Sequence, residues 1–269
     1  MYVIFTDLDG SLLNHEDYSY EEAKPTLKKI KRNNIPLIFT TSKTRPEVEL
    51  LQKEIGIKEP FIVENGAAIF FPEGYRKFKL EFPKIDNYRV IKLGEEYDYI
   101  RKFIKKFSKK FGIKGFGDMT IEEIGNLTGL SPEKVKYAKM REFTEPFIIQ
   151  EEKFLPELKK LADRYGLKIT RGGRFFHLIG KNQDKGKAVE ITSNIFRKNF
   201  RNIITVGIGD SINDLPMLET VDIPILIPKI NNEYEKVQLT GLIKASFPGS
   251  KGWNQVVGRL INGFKKASG

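Results

Sequence analysis

The stretch Tyr2-Val3-Ile4-Phe5-Thr6-Asp7-Leu8-Asp9-Gly10-Ser11 decides the fold. It begins with aromatic and β-branched residues and runs into an acidic, glycine-bearing segment, the pattern of a short buried strand that opens into a loop. Asp7 and Asp9 therefore stand just beyond the carboxyl end of a strand. Downstream, Glu21 to Asn34 sets Ala23, Leu27 and Ile30 on one helical face among lysines, and Ile35-Pro36-Leu37-Ile38-Phe39 reads as the next strand. Strand-like runs recur at Phe61 to Val63 and Ile203 to Ile208. The second of these is almost wholly apolar, as suits a parallel strand covered on both faces. The expected core is a doubly wound, Rossmann-like α/β sheet with its ligand site beyond the carboxyl ends of the strands.

Between residues 84 and 181 the texture changes. Lys-rich helical patterns at Tyr97 to Phe111, Ile121 to Thr128, Pro132 to Lys139 and Glu151 to Tyr165 alternate with short strands at Phe147 to Gln150, Lys168 to Arg171 and Phe175 to Ile179. The expected organisation is a core of residues 1–83 and 182–269 interrupted by an α+β insertion, 84–181, with Trp253 to Phe264 as a closing helix. At 269 residues the chain is long enough for two packed units.

The absence of cysteine removes disulfides, thiolate metal sites and cysteine nucleophiles, and two histidines, His15 and His177, are too few for a histidine-rich metal centre. Any enzyme here works with carboxylates, hydroxyls, lysines and an oxygen-liganded cation such as magnesium. Two acids at Asp7 and Asp9 could divide labour between nucleophile or metal ligand and proton carrier; alone, they read equally as an Asx-type turn. A second cluster changes the balance. Gly207-Ile208-Gly209-Asp210-Ser211-Ile212-Asn213-Asp214 follows the most apolar strand and opens a helix. Capping by Asp210 or Asn213 accounts for one acid there, not for two acids four residues apart. Two acidic loops on one sheet edge make an all-oxygen site suited to magnesium.

These two loops resemble the first and fourth motifs of the haloacid dehalogenase superfamily of phosphotransferases. The segment Thr40-Thr41-Ser42-Lys43-Thr44-Arg45 stands at the place of the second-motif hydroxyl, assigned to Thr41 with Ser42 as the alternative, and Asp184-Lys185-Gly186-Lys187-Ala188 resembles the third motif, with Lys185 as its lysine. The resemblance implies Asp7 as nucleophile, Asp9 as general acid and base, Thr41 and Lys185 as phosphoryl contacts, and Mg2+ held by Asp7, Asp9 through its carbonyl, Asp210 and Asp214, with Asn213 orienting a carboxylate or water. Ser11 stands where members of the superfamily often have Thr.

A closer resemblance covers most of the insertion. Gly115 to Thr120, Leu127-Thr128-Gly129-Leu130, Arg141 to Phe147 and Arg171-Gly172-Gly173-Arg174-Phe175-Phe176-His177 are similar to the cap of mannosyl-3-phosphoglycerate phosphatases, as are Ser42, Lys43, Glu64 and Asn65 in the core. It implies a glycosyl phosphoglycerate substrate, a glycosylglycerate product that serves as a compatible solute, and contacts from Arg141, Arg171, Gly172, Gly173 and Arg174; another sugar-phosphate phosphatase or a phosphomutase of the same superfamily is the alternative. Arg174 is the preferred grip on the glycerate carboxylate, since a guanidinium holds a planar anion bidentately. Each piece has a plainer reading. Gly172 and Gly173 suit a turn between strands, Arg141 and Glu142 an ordinary surface ion pair, His177 a packed strand histidine, and His15 a polar side chain facing solvent beside the Asp9 loop.

The formal charge of +11 raises a phosphate-rich partner. Nucleic acid is one candidate, but the chain has no recognised RNA-binding aromatic motif, zinc finger or arginine-rich arm. The segment 84–181 carries 22 basic and 14 acidic side chains, so most of the excess lies in the insertion. A small anionic substrate, with neither nucleic acid nor membrane as partner, fits that distribution better. No apolar run approaches the roughly 20 residues that span a bilayer, and a cytoplasmic enzyme is the expectation.

Overall fold

The computed structural model describes residues 1–172 and 175–267, with side chains through 263. In chain order the elements are β1 Tyr2–Thr6, α1 Lys24–Arg32, β2 Leu37–Thr40, α2 Arg45–Ile55, β3 Phe61–Val63, β4 Ala68–Pro72, β5 Lys84–Ile85, β6 Tyr88–Lys92, α3 Tyr97–Phe111, β7 Ile113–Gly115, α4 Ile121–Thr128, α5 Pro132–Lys139, β8 Glu145–Ile149, α6 Leu155–Arg164, β9 Leu167–Arg171, β10 Phe176–Gly180, α7 Lys185–Asn199, β11 Ile204–Gly209, α8 Leu215–Thr220, β12 Ile223–Leu226, β13 Ile243–Lys244 and α9 Gly249–Ala267.

The larger sheet runs β13-β12-β11-β1-β2-β3-β4-β6-β5. From β13 to β3 neighbouring strands are parallel; β4, β6 and β5 continue it antiparallel. Side-chain alternation splits β1 between two cores. Ile4 packs with α1, α2 and α9 through Leu27, Val48 and Trp253, whereas Val3 and Phe5 pack with α7 and α8 through Val189, Phe196 and Met217. Helices thus cover both faces, and the strands between them have no polar face to show, as their sequences require.

A second, four-stranded antiparallel sheet, β7-β8-β10-β9, carries α3 and α6 on an apolar core that includes Ile100, Phe103, Leu158 and Phe176. Phe116, Met119, Ile124 and Val135 form a smaller cluster under α4 and α5. One correction to the sequence reading follows. Residues 84–92, set in the insertion, run as β5 and β6 of the larger sheet, with Val90 buried against β4 opposite Phe70. Their mixed, Lys-bearing composition is that of a sheet margin: β5 is the edge and covers only the Tyr88–Arg89 end of β6, and such strands carry little hydrophobic signal. No helix among the described residues is long and apolar enough to cross a membrane.

Candidate active site

Four loops leave the carboxyl ends of neighbouring parallel strands: Asp7 after β1, Thr41 to Lys43 after β2, Glu64 and Asn65 after β3, and Asp210 after β11. The ladders hold right up to them, with the Asp7 amide donating to the Ile208 carbonyl (2.8 Å) and the Thr41 amide to that of Ile62 (3.0 Å). Lys185 comes from the other side. Asp184 caps α7 by accepting from the Lys187 amide at 2.8 Å, which points the first helical turn at the sheet edge. Gly66 permits this approach: its φ is +84°, and a Cβ there would lie 2.1 Å from the Asp184 carbonyl oxygen. Gly10, also at +84°, makes the same kind of room for Asp210, whose Oδ2 would sit 2.6 Å from an added Cβ.

The result is a buried cluster in which carboxylate oxygens of Asp7, Asp210 and Asp214 lie within 4.8 Å of one another. Lys185 Nζ donates to Asp7 Oδ1 at 2.5 Å and to Asp214 Oδ1 at 2.6 Å. The other oxygen of Asp214 accepts the backbone amides of Asp210 and Ser211, each at 3.1 Å. Asp214 therefore shapes the β11 loop as well as adding charge. Burial, reinforced by Asp214 and opposed by Lys185, pushes the Asp7 carboxyl up to about 7. Burial together with Asp214 and Asp7 also raises Asp210 well above the ordinary carboxylate range. For Lys185 burial works against the ammonium, but Asp214 and Asp7 outweigh it and hold the lysine above its ordinary range. Three carboxylates share one ammonium, and a hard divalent cation with oxygen ligands fits the remaining negative charge.

The Asp9 carboxylate turns away from this cluster to Lys43, 2.9 Å away. Lys43 also faces Glu47 at 3.6 Å and lies over the Tyr18 ring at 4.9 Å. Burial disfavours its charge, yet Asp9 and Glu47 raise it above the usual lysine range. Thr41 is buried and its Oγ accepts the Lys43 amide at 3.1 Å, whereas Ser42 lines a cleft of about 110 Å³ with Asp7, Asp9, Lys43, Arg141, Gly172, His177, Asp210 and Asn213. Asn213 Nδ2 donates to Asn65 Oδ1 at 3.0 Å, tying the β11 loop to the β3 loop.

Glu64 is not in the cleft. It is fully buried and accepts from the amides of Glu142 (2.8 Å), Phe143 (3.2 Å) and Thr144 (2.8 Å), from the Thr144 hydroxyl (2.8 Å) and from Arg141 Nε (3.2 Å). It fastens the segment that leads from α5 into β8. Arg141 is accordingly no surface partner of Glu142: it is buried on Glu64 and donates to the Ser42 carbonyl at 2.7 Å, while Glu142 pairs with Arg45 at 3.1 Å. The sequence pattern could not show a partner 77 residues away. Replacing Glu64 with Ala strands a buried guanidinium and three amides, and is expected to cost about 3–5 kcal/mol; a denaturant midpoint equal to wild type in E64A contradicts that role.

Arg171 is exposed, pairs with Glu152 at 3.4 Å and lines a larger cavity of about 920 Å³ that shares Gly172, His15, Asp210 and Ser211 with the cleft. Gly173 and Arg174 lie outside the described residues. Several residues of the cleft escaped the sequence reading as functional, His15 and Glu47 among them. Tyr18, with φ 57°, lines it from a loop with no motif. His177 does so from β10, where alternation with apolar neighbours disguised it.

Residues 4–236 match the family of haloacid dehalogenase-like hydrolases. The chain is 58% identical over 265 residues to a glucosyl-3-phosphoglycerate/mannosyl-3-phosphoglycerate phosphatase of Persephonella marina, covering 98% of each. It is 38% identical to a mannosyl-3-phosphoglycerate phosphatase of Pyrococcus horikoshii over 86% of this chain and 92% of that one. Among solved structures, the sucrose-phosphatase of Synechocystis superposes with a TM-score of 0.63 at 14% identity, over 96% of this chain and 97% of that one, a likeness of fold. With that match along most of its length, the chain belongs to the haloacid dehalogenase-like hydrolases.

Proposed function

We propose that the protein is a magnesium-dependent phosphatase that hydrolyses mannosyl-3-phosphoglycerate, and its glucosyl analogue, to the glycosylglycerate and phosphate through an aspartyl-phosphate on Asp7. The observation that carries the substrate is the 58% identity, end to end, with the Persephonella marina enzyme named for both. The chemistry rests on the carboxylate cluster at the sheet edge.

Lys185 holds Asp7 Oδ1, so Oδ2 attacks phosphorus as the bond to the glycerate oxygen breaks. Asp9 leaves its ion pair with Lys43 as it takes up a proton from solvent, gives that proton to the departing alkoxide and takes one back from the water that then hydrolyses the acyl phosphate. Lys185 and the hydroxyl of Thr41 or Ser42 face the phosphoryl oxygens, with Asn65 and Asn213 holding the loops that frame them. Asp7, Asp210 and the Asp9 carbonyl would hold the magnesium, backed by Asp214. When bound, the ion supplies positive charge against the phosphoryl oxygens as charge builds there. Arg141, Arg171, Gly172, Gly173 and Arg174 belong to the cationic insertion that meets the glycerate and sugar, a field that draws in an anion.

The test is phosphate release from mannosyl-3-phosphoglycerate, glucosyl-3-phosphoglycerate, sucrose 6-phosphate and mannose 1-phosphate, with magnesium and with chelator. The two glycosyl-3-phosphoglycerates are expected to lead the panel and to lose roughly 100-fold or more of their turnover in chelator. Faster turnover of either of the other two esters, or full activity in chelator, overturns the proposal.

A further inference from the structure

His177 is a buried cleft residue that the mechanism leaves unused. It sits on β10 opposite Pro146 of β8 and Thr170 of β9, is only 6% exposed, and lines the same cleft as Asp7, Asp9 and Arg141. Buried polar atoms are nearly always hydrogen-bonded. Yet His177 Nδ1 is buried and has no partner among the described residues. The ring is also seated deliberately close to bare backbone. A Cβ added to Gly172 would come within 3.0 Å of His177 Nε2, so a side chain at 172 would displace the imidazole.

We propose that His177 is a specificity residue whose Nδ1 hydrogen-bonds a hydroxyl of the leaving alcohol. This rests on the reading of the cleft as the seat of a polyhydroxy phosphate ester. An unsatisfied buried nitrogen is a standing cost that a bound hydroxyl removes. A hydroxyl both donates and accepts, so it suits either tautomer of the ring. Burial, followed by the nearby charges of Arg141 and Lys185, depresses the imidazole to about 3, so it meets its ligand as a neutral group. The phosphoryl charge is met by Lys185, and His177 is left to recognise the uncharged part of the ester. A site built to hydrogen-bond a hydroxyl discriminates strongly against an ester that lacks one, because its polar group is then buried unpaired.

The experiment compares kcat and KM on mannosyl-3-phosphoglycerate and on p-nitrophenyl phosphate, whose leaving group has no second hydroxyl, for wild type, His177→Phe, His177→Asn and Gly172→Ala. In His177→Phe the ratio of kcat/KM for the sugar ester to that for the nitrophenyl ester is expected to fall about tenfold or more, with KM carrying the change. His177→Asn, whose amide nitrogen reaches the place of Nδ1, should recover most of the ratio, and Gly172→Ala should lower it through KM. A smaller fall in a His177→Phe protein that melts as wild type does overturns the proposal. So does an equal loss on both esters. If His177→Phe does not fold, His177→Leu decides by the same ratio. If wild type does not cleave mannosyl-3-phosphoglycerate, the substrate reading has failed on its own. The ratio is then taken on the best of the polyhydroxy esters in the panel, with the same two outcomes.

Discussion

Asp7→Asn is expected to lower kcat on mannosyl-3-phosphoglycerate by roughly 10⁴-fold or more, because it removes the proposed nucleophile and not one of several supporting contacts. The loss should come without loss of fold. Asp7 is buried beside Asp214 and Asp210, with Lys185 as the nearest counter-charge and Asp9 beyond, so the neutral amide relieves repulsion. The sign of the pH dependence follows. A carboxyl whose folded value is raised from 3.8 to about 7 binds its proton more tightly folded than unfolded. Its contribution is therefore fully present below 3.8 and is lost as pH rises through 7. Metal-free wild type should lose a few kcal/mol of stability over that window through this group, and Asp7→Asn should show a flatter curve. Melting temperatures against pH in chelator test it; a variant that melts well below wild type at pH 8 contradicts the account of the cluster.

Lys185→Met carries the second large effect, and here activity and stability fall together. The ammonium is the shared donor to Asp7 at 2.5 Å and Asp214 at 2.6 Å, and it is almost wholly buried. Removing it leaves buried carboxylates without their counter-charge. Breaking a buried pair in this way costs about 3–5 kcal/mol, whereas losing a phosphoryl contact of this kind lowers kcat by roughly 10²–10³-fold. Magnesium should recover part of the stability by occupying the same negative site, since a ligand that binds only the folded state raises its melting temperature. A Lys185→Met protein with wild-type melting in chelator would show that the ammonium is not what balances the cluster.

How much of this was legible in the sequence depends on the distance over which each feature is determined. α3, α4 and α5 carry their own apolar periodicity and lie where that periodicity puts them, Tyr97–Phe111, Ile121–Thr128 and Pro132–Lys139. The strands that bear acids, β1 and β11, are short apolar runs closed by glycine and carboxylate, and each is legible locally. β4, Ala68-Ile69-Phe70-Phe71-Pro72, is buried throughout, and a short apolar run that ends in proline is not told from a buried helix segment by periodicity alone. With β4 unseen, β6 had no visible partner in the core and its Lys-bearing residues were grouped with the insertion. The site divides in the same way. Asp7 and Asp210 follow from local pattern, but that Glu64 clasps Arg141 and the amides of 142–144, or that Lys43 meets Asp9, is a product of chain segments brought together by folding. His177 shows the limit most clearly, since the alternation that marks a buried strand residue looks the same whether the burial is in a core or in a cleft.

Asp7 is expected to carry the phosphoryl group during turnover. The direct measurement is to mix enzyme, magnesium and mannosyl-3-phosphoglycerate, quench in acid within the first turnover, digest, and weigh the peptides. One phosphoryl group is expected on the peptide containing Asp7-Leu8-Asp9, localised to Asp7 by fragmentation, appearing before free phosphate and absent from Asp7→Asn. Free phosphate rising at full rate with no phosphoryl group on Asp7, or turnover that persists in Asp7→Asn, would contradict it.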